Sequence, residues 1–131
     1  MKTKEEYIQF WITQAEDDWQ TVYILFEKKK YLQSLFFMHL AIEKIAKAFW
    51  IRDNDTNIPP KTHNLVYLIS QTKVELSEDD KEFLLNINRF QIEGRYPDYV
   101  SQLYKICDDT FTSQTIASTE KLKTWLLDKL Q

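Results

Sequence analysis

The chain has 131 residues, a formal net charge of -3, and 44% hydrophobic and 15% aromatic residues. This composition predicts one globular domain with a sizeable core and excludes a disordered chain. A mildly acidic chain also argues against a sequence-independent grip on nucleic-acid backbones, which needs a basic surface.

Helical periodicity dominates the first half of the chain. One glycine and three prolines leave few tight turns, and no Asn-Gly or Asp-Gly pair offers a β-hairpin. Apolar residues at helical spacing predict a first helix over about residues 3–29 and a second over about residues 31–53. Since only a turn near Lys30 separates these two helices, we expect them to pack antiparallel.

The second half of the chain predicts shorter elements. A third helix over about residues 63–73, capped by Thr62, follows the proline-containing loop, and a fourth runs from Ser77 to about Glu93. A short helical turn is expected around residues 99–108, and a last helix over about residues 112–130. The predicted fold is all-α, an antiparallel up-and-down bundle of four long helices plus a shorter fifth helix, forming one domain over residues 1–131.

Cysteine usage and the N-terminal segment predict a cytoplasmic protein. Cys107 is the sole cysteine, so no disulfide can form within the chain. The opening segment MKTKEEYIQFW has charges where a signal peptide needs an apolar core, and the longest apolar runs are far too short to cross a bilayer. No membrane association is expected.

The stretch QIEGRYPD contains the single glycine. We expect Gly94 to end the fourth helix with a positive φ and Pro97 to block a restart. This stop does not require Arg95 or Tyr96, which are therefore candidates for binding. A guanidinium matches phosphate oxygens and a phenol ring can stack on a base. The alternative is that Arg95 pairs with Asp98 or with an acid on the second helix.

Four segments occur in order over roughly residues 10–100. They are W-x-x-x-A-x-x-D from Trp11, A-x-E-K-x-x-K-A from Ala41, T-H-x-L from Thr62 and R-Y-P-D from Arg95. Together they resemble the HEPN domain family (higher eukaryotes and prokaryotes nucleotide-binding). The resemblance implies a helical bundle that commonly forms a homodimer. For many members it also implies a minimal nucleotidyltransferase partner in a toxin-antitoxin module, or metal-independent RNA endonuclease activity.

The endonucleases of this family use an arginine followed after four to six residues by a histidine. None of the three arginines of this chain is followed by histidine at that spacing. Our first hypothesis is therefore a module that binds a nucleotide, RNA or a partner protein, without catalytic residues, cofactor or metal. The alternative is an RNA endonuclease with a non-standard active site, in which His63 supplies the missing imidazole beside Arg95.

Six residues are predicted to contact a nucleotide or phosphate. They are Glu43, Lys44, Lys47, His63, Arg95 and Tyr96. The resemblance places the first three in a binding groove, whereas their spacing alone also fits an exposed salt bridge between Glu43 and Lys47. His63 either bonds to backbone in its loop or lies beside a phosphate.

Other polar and aromatic residues have structural interpretations. His39 precedes Glu43 by four residues, but no third metal ligand is apparent, so we interpret it as a hydrogen-bonded core histidine. The four tryptophans are interpreted as anchors of the core or of an interface.

Overall fold

The computed structural model describes residues 2–130. Over this range the chain forms six α-helices and one 3-10 turn, in the order α1 Lys4–Glu27, α2 Tyr31–Asp53, α3 Leu65–Ser70, α4 Glu78–Ile87, the 3-10 turn Asn88–Phe90, α5 Pro97–Ile106 and α6 Asp109–Leu130. No strand occurs within residues 2–130, so the predicted all-α class is confirmed. None of the helices in that range has the length and apolar character needed to cross a bilayer.

Helices α1 and α2 form a long antiparallel hairpin. Thr3 begins α1 with a capping box, because its hydroxyl accepts the Glu6 N–H at 3.1 Å and its own N–H donates to the Glu6 carboxylate at 3.0 Å. At the other end of α1, Lys29 adopts a φ of 61°, and the Lys30 N–H donates to the Leu25 carbonyl at 2.9 Å. The lysine run therefore forms the tight turn between the two helices.

Helix α2 is the central helix of the bundle. It packs along α1 and also contacts α3, α5, α6 and the 3-10 turn. Most of its length is buried, including Met38, Ile42, Ile45 and Phe49, which are fully inaccessible to solvent. A helix surrounded in this way can carry a polar side chain only where a partner satisfies it, and one such position, Glu43, lies at its middle.

The predicted set of four long helices is not what the structure has. In residues 2–130 only α1, α2 and α6 exceed twenty residues, with 24, 23 and 22 residues. Helix α3 has six residues. Its N-cap is Asn64, whose side chain accepts the Tyr67 N–H at 3.2 Å. The predicted cap Thr62 was wrong, because its hydroxyl accepts the Asn64 N–H instead.

The fourth helix ends earlier than predicted, and the fifth begins where a stop was expected. Helix α4 ends at Ile87, and the chain continues as the 3-10 turn before reaching Gly94. Gly94 has the expected positive φ, 75°, but lies in a loop, where the Arg95 N–H donates to the Ile92 carbonyl at 3.1 Å. Pro97 does not block a helix. It occupies the first position of α5, where its fixed φ and missing N–H are tolerated.

Candidate functional site

Glu43 is a buried carboxylate with two partners. Only 3% of the residue is exposed. One carboxylate oxygen binds Lys47 Nζ at 3.0 Å, and the other lies 2.8 Å from His63 Nδ1. Of the two sequence interpretations, the alternative of an exposed salt bridge between Glu43 and Lys47 is wrong about exposure, because the pair forms but Glu43 is buried. Because α2 is enclosed by other helices, this pair is shielded from solvent. Charges attract each other more strongly in the protein interior than at the surface.

His63 lies between the buried Glu43 carboxylate and the surface. It precedes α3 by two residues, and 53% of its side chain is exposed. Its ring contacts the carboxylate of Glu43. One of the two sequence interpretations, a bond between the His63 ring and loop backbone, is therefore wrong. An ionised carboxylate can only accept, so Nδ1 carries the hydrogen of this bond, and a neutral His63 has its lone pair on Nε2.

Asn88 ties the surrounding elements together. Its side-chain oxygen accepts the Leu65 N–H at 3.2 Å and lies 3.1 Å from His39 Nε2. Its amide nitrogen donates to the Asn64 side chain at 3.3 Å. One amide thus links the start of α3, the 3-10 turn and the middle of α2, which fixes the position of the segment carrying His63.

His39 lies in the core, as predicted. It is fully buried, and its Nδ1 is 3.9 Å from the nearer Glu43 oxygen, beyond hydrogen-bonding distance. Burial lowers the pKa of His39, because the charged form would lose its hydration. In residues 2–130 no group of three or more His, Cys, Asp or Glu side chains is arranged to hold a metal ion.

Arg95 lies across from His63. Its guanidinium stacks on the Tyr99 ring, 4.6 Å from the ring centroid, and its Nε donates to the Gln91 carbonyl at 3.4 Å. The Tyr99 hydroxyl in turn donates to the Arg89 carbonyl at 2.7 Å, which fixes the ring. Over the described range Arg95 forms no salt bridge, so the sequence alternative of a pair with Asp98 is wrong.

Together these residues line one cleft of about 330 Å³. Its walls are Thr62, His63, Asn64, Asn88, Gln91 and Arg95. The lining contains no Asp or Glu, and Glu43 lies behind it with its charge matched by Lys47. Arg95 is thus the one permanently charged residue of this lining, beside a hydroxyl and three amide side chains that can donate hydrogen bonds.

The structure brings four of the six predicted contact residues to this region. His63 and Arg95 line the cleft, and Glu43 and Lys47 support it from behind. Lys44 lies elsewhere, because its Nζ binds Asp18 of α1 at 2.6 Å. Tyr96 is 84% exposed at the start of α5 and does not line the cleft.

Sequence reasoning missed Asn64, Asn88 and Gln91. Gln91 is 5% exposed, and its side-chain nitrogen has no hydrogen-bond partner within residues 2–130. The only signal for it was its place in the glycine-containing stretch, directly after the buried Phe90. Amide side chains are common at helix ends, so spacing alone gave no reason to select these three.

Comparison with known proteins identifies the family. The family model described as HEPN domain matches residues 8–130. Searches of curated proteins and of solved structures find no match. The matched range includes both walls of the cleft and nearly all of the helical bundle. The chain therefore belongs to the HEPN domain family.

Proposed function

We propose that the cleft binds a phosphate group of a nucleotide or of RNA. The observation that carries this proposal is the lining itself, which combines an arginine free of salt bridges in residues 2–130 with donor side chains and no acid. Phosphate oxygens accept charge-assisted hydrogen bonds, and the planar guanidinium fork matches their geometry. Nucleotide or RNA binding is also a general property of HEPN domains.

Gln91 supports the same ligand chemistry. Its side-chain oxygen accepts the Glu93 N–H at 2.9 Å, which fixes the amide so that the nitrogen remains the free end. A buried donor without a partner is uncommon in proteins and costs free energy. The partner that this nitrogen lacks is an acceptor, such as a phosphate oxygen, and not a cation.

The proposal is tested by titrating ATP, GTP and a short single-stranded RNA into the wild-type protein and into Arg95→Ala. A hydrogen bond to a charged group contributes about 1.5–3 kcal/mol, so we expect Arg95→Ala to weaken binding at least about tenfold. Lys121→Ala is the matched control, because it removes one positive charge from an exposed position on α6. Equal weakening by both variants, or no binding by the wild type, would contradict the proposal.

We further propose that the domain works as a homodimer with a minimal nucleotidyltransferase, in a system of toxin-antitoxin type. This rests on the family, whose domains often dimerise. Light scattering at micromolar concentration tests the dimer, and copurification from the native cell tests the transferase. A monomeric mass would contradict the homodimer, and the absence of a transferase among the copurified proteins would contradict the transferase partner.

A second candidate function is RNA cleavage without the usual histidine spacing. The observation that favours it is the position of His63 opposite Arg95 in one cleft, with the imidazole oriented by the buried Glu43. In this reaction His63 Nε2 removes the proton of a 2′-hydroxyl, and the resulting oxygen attacks the adjacent phosphorus. The 5′-oxygen leaves with a proton from water, a 2′,3′-cyclic phosphate forms, and Arg95 stabilises the charge on the phosphorane.

Cleavage is distinguished from binding by the products and by two variants. Incubation with single-stranded RNA should give 2′,3′-cyclic phosphate ends, whereas the same strand with 2′-deoxy sugars should stay intact. His63→Gln and Arg95→Ala should each abolish the reaction. Intact RNA with the wild type, or equal cleavage by His63→Gln, would eliminate this candidate and leave the binding function.

A further inference from the structure

A solvent-accessible aromatic groove lies beside the α1 end of the bundle. Its walls are Tyr7, Phe10 and Trp11 of α1 and Asn57, Ile58 and Pro59 of the loop after α2, enclosing about 280 Å³. The Phe10 and Trp11 rings meet edge to face with centroids 5.7 Å apart. Phe10 is 45% exposed and Ile58 is 73% exposed, so the groove presents flat apolar surface to solvent.

Two lysines lie near the rings of the groove. Lys2 stands at one side, and Lys47 Nζ lies 5.2 Å from the centroid of the Trp11 ring. A ligand that fits these features is flat and carries negative charge nearby. An unpaired nucleobase with its phosphate has these properties.

A short row of contacts connects the aromatic groove to the cleft. Trp11 contacts Lys47, Lys47 binds Glu43, and Glu43 binds His63. The chain segment 57–63 also runs from the groove to the cleft, since it contributes Ile58 to one and His63 to the other. The two sites are therefore neighbours, separated by buried side chains.

We propose that the aromatic groove binds an unpaired base of a single-stranded RNA whose backbone continues into the cleft. This inference rests on the proposed phosphate binding at the cleft. Because buried side chains separate the two sites, the ligand that occupies both is a strand of several nucleotides. The cleft holds a phosphate, and the groove holds a base of the same strand.

A second protein copy is a less suitable occupant of the groove. The lining of the groove includes Lys2 and no acidic residue, which suits a phosphate backbone.

The test compares two labelled RNA pentamers of equal charge by fluorescence anisotropy. One is an oligoadenylate, and in the other hydrogen replaces every base. Stacking of one base on aromatic side chains corresponds to about a 5- to 150-fold change in affinity, so the oligoadenylate should bind at least about fivefold more tightly. Phe10→Ala should remove most of this difference, and Ile58→Ala, in an exposed loop, should reduce it without affecting the fold of α1.

Ile24→Ala is the matched control, because Ile24 is 60% exposed on the same helix and does not line the groove. Arg95→Ala should weaken both pentamers equally. In addition, the indole N–H signal of Trp11, assigned by its loss in Trp11→Phe, should shift with the oligoadenylate but not with the pentamer that lacks bases.

The failures of the two proposals give different results. If both pentamers bind equally, Phe10→Ala has no effect and Arg95→Ala weakens both, the groove proposal is overturned and phosphate binding at the cleft stands. If neither pentamer binds the wild type, both proposals fall. If Phe10→Ala halves the mass measured by light scattering, the groove is an interface between copies of the chain and the base-binding proposal is overturned.

Discussion

Replacing Glu43 by glutamine tests whether a buried charge holds the cleft in place. The Glu43 side chain is 4% exposed and binds Lys47 at 3.0 Å and His63 at 2.8 Å. Glu43→Gln keeps the shape but leaves the Lys47 ammonium, whose side chain is 14% exposed, without its counter-charge. Breaking a buried pair costs about 3–5 kcal/mol, and a bond to a charged group contributes about 1.5–3 kcal/mol. Because the amide oxygen can still accept from Lys47, we expect a loss of about 2–3 kcal/mol.

Urea unfolding followed by circular dichroism measures this loss as a lower midpoint at unchanged slope. Glu78→Gln is the matched control, since Glu78 pairs with Lys81 at 3.2 Å on the surface, and we expect no measurable shift of the midpoint. Adding Lys47→Met to Glu43→Gln should recover part of the loss, because methionine fills the space without an unpaired charge. A midpoint for Glu43→Gln equal to that of Glu78→Gln would refute the reasoning.

Three further predictions concern His39, Gly94 and Cys107. Burial lowers the pKa of His39 in the folded state. Just below about pH 6.5, His39 is therefore protonated in the unfolded chain but not in the folded one. Stability should therefore fall with decreasing pH by up to about 1.4 kcal/mol per unit, until folded His39 also protonates, and urea titrations of His39→Gln should lack this contribution. Gly94→Ala should lower the free energy of unfolding by about 1 kcal/mol, measured by thermal unfolding, because φ is 75°. No atom lies within 4 Å of an added Cβ, so the loss would come from backbone strain alone, and an unchanged stability would exclude such strain. Burial raises the pKa of the Cys107 thiol to about 11, so it should react with a thiol reagent only after denaturation, and fast native labelling would contradict its burial.

Hydrophobic periodicity was sufficient for the long helices and insufficient for the short ones. The first two helices were predicted over about residues 3–29 and 31–53, close to the observed Lys4–Glu27 and Tyr31–Asp53. The start of α3 depends on Asn88, which binds the Leu65 N–H from 23 residues away, and local sequence does not contain that contact. Pro97 is compatible with either a stop or a first helical position, and only the surrounding chain decides between them.

The candidate site was predictable residue by residue but not as an arrangement. The motifs around His63 and Arg95 selected two residues that line one cleft. Lys44 adjoins Glu43 in sequence, yet one step along a helix turns the side chain by about 100°, which directs it to Asp18 of α1. Burial of Glu43 was not visible either, because an acid and a lysine four apart usually mark an exposed face.

The close turn between α1 and α2 has a consequence for the order of folding. Contacts between these helices start at the turn, where the Lys30 N–H binds the Leu25 carbonyl, and extend outward as far as Lys4 and Ile51, so each new contact closes only a short loop. The two walls of the cleft, residues 62–64 and 91–95, have no such turn directly between them. Local contacts form faster than distant ones, because less chain entropy is lost in closing the loop. We therefore expect the hairpin to assemble first and the amide protons of α2 to exchange far more slowly than those of residues 91–95. The walls can then adapt to an arriving ligand while the hairpin keeps its shape.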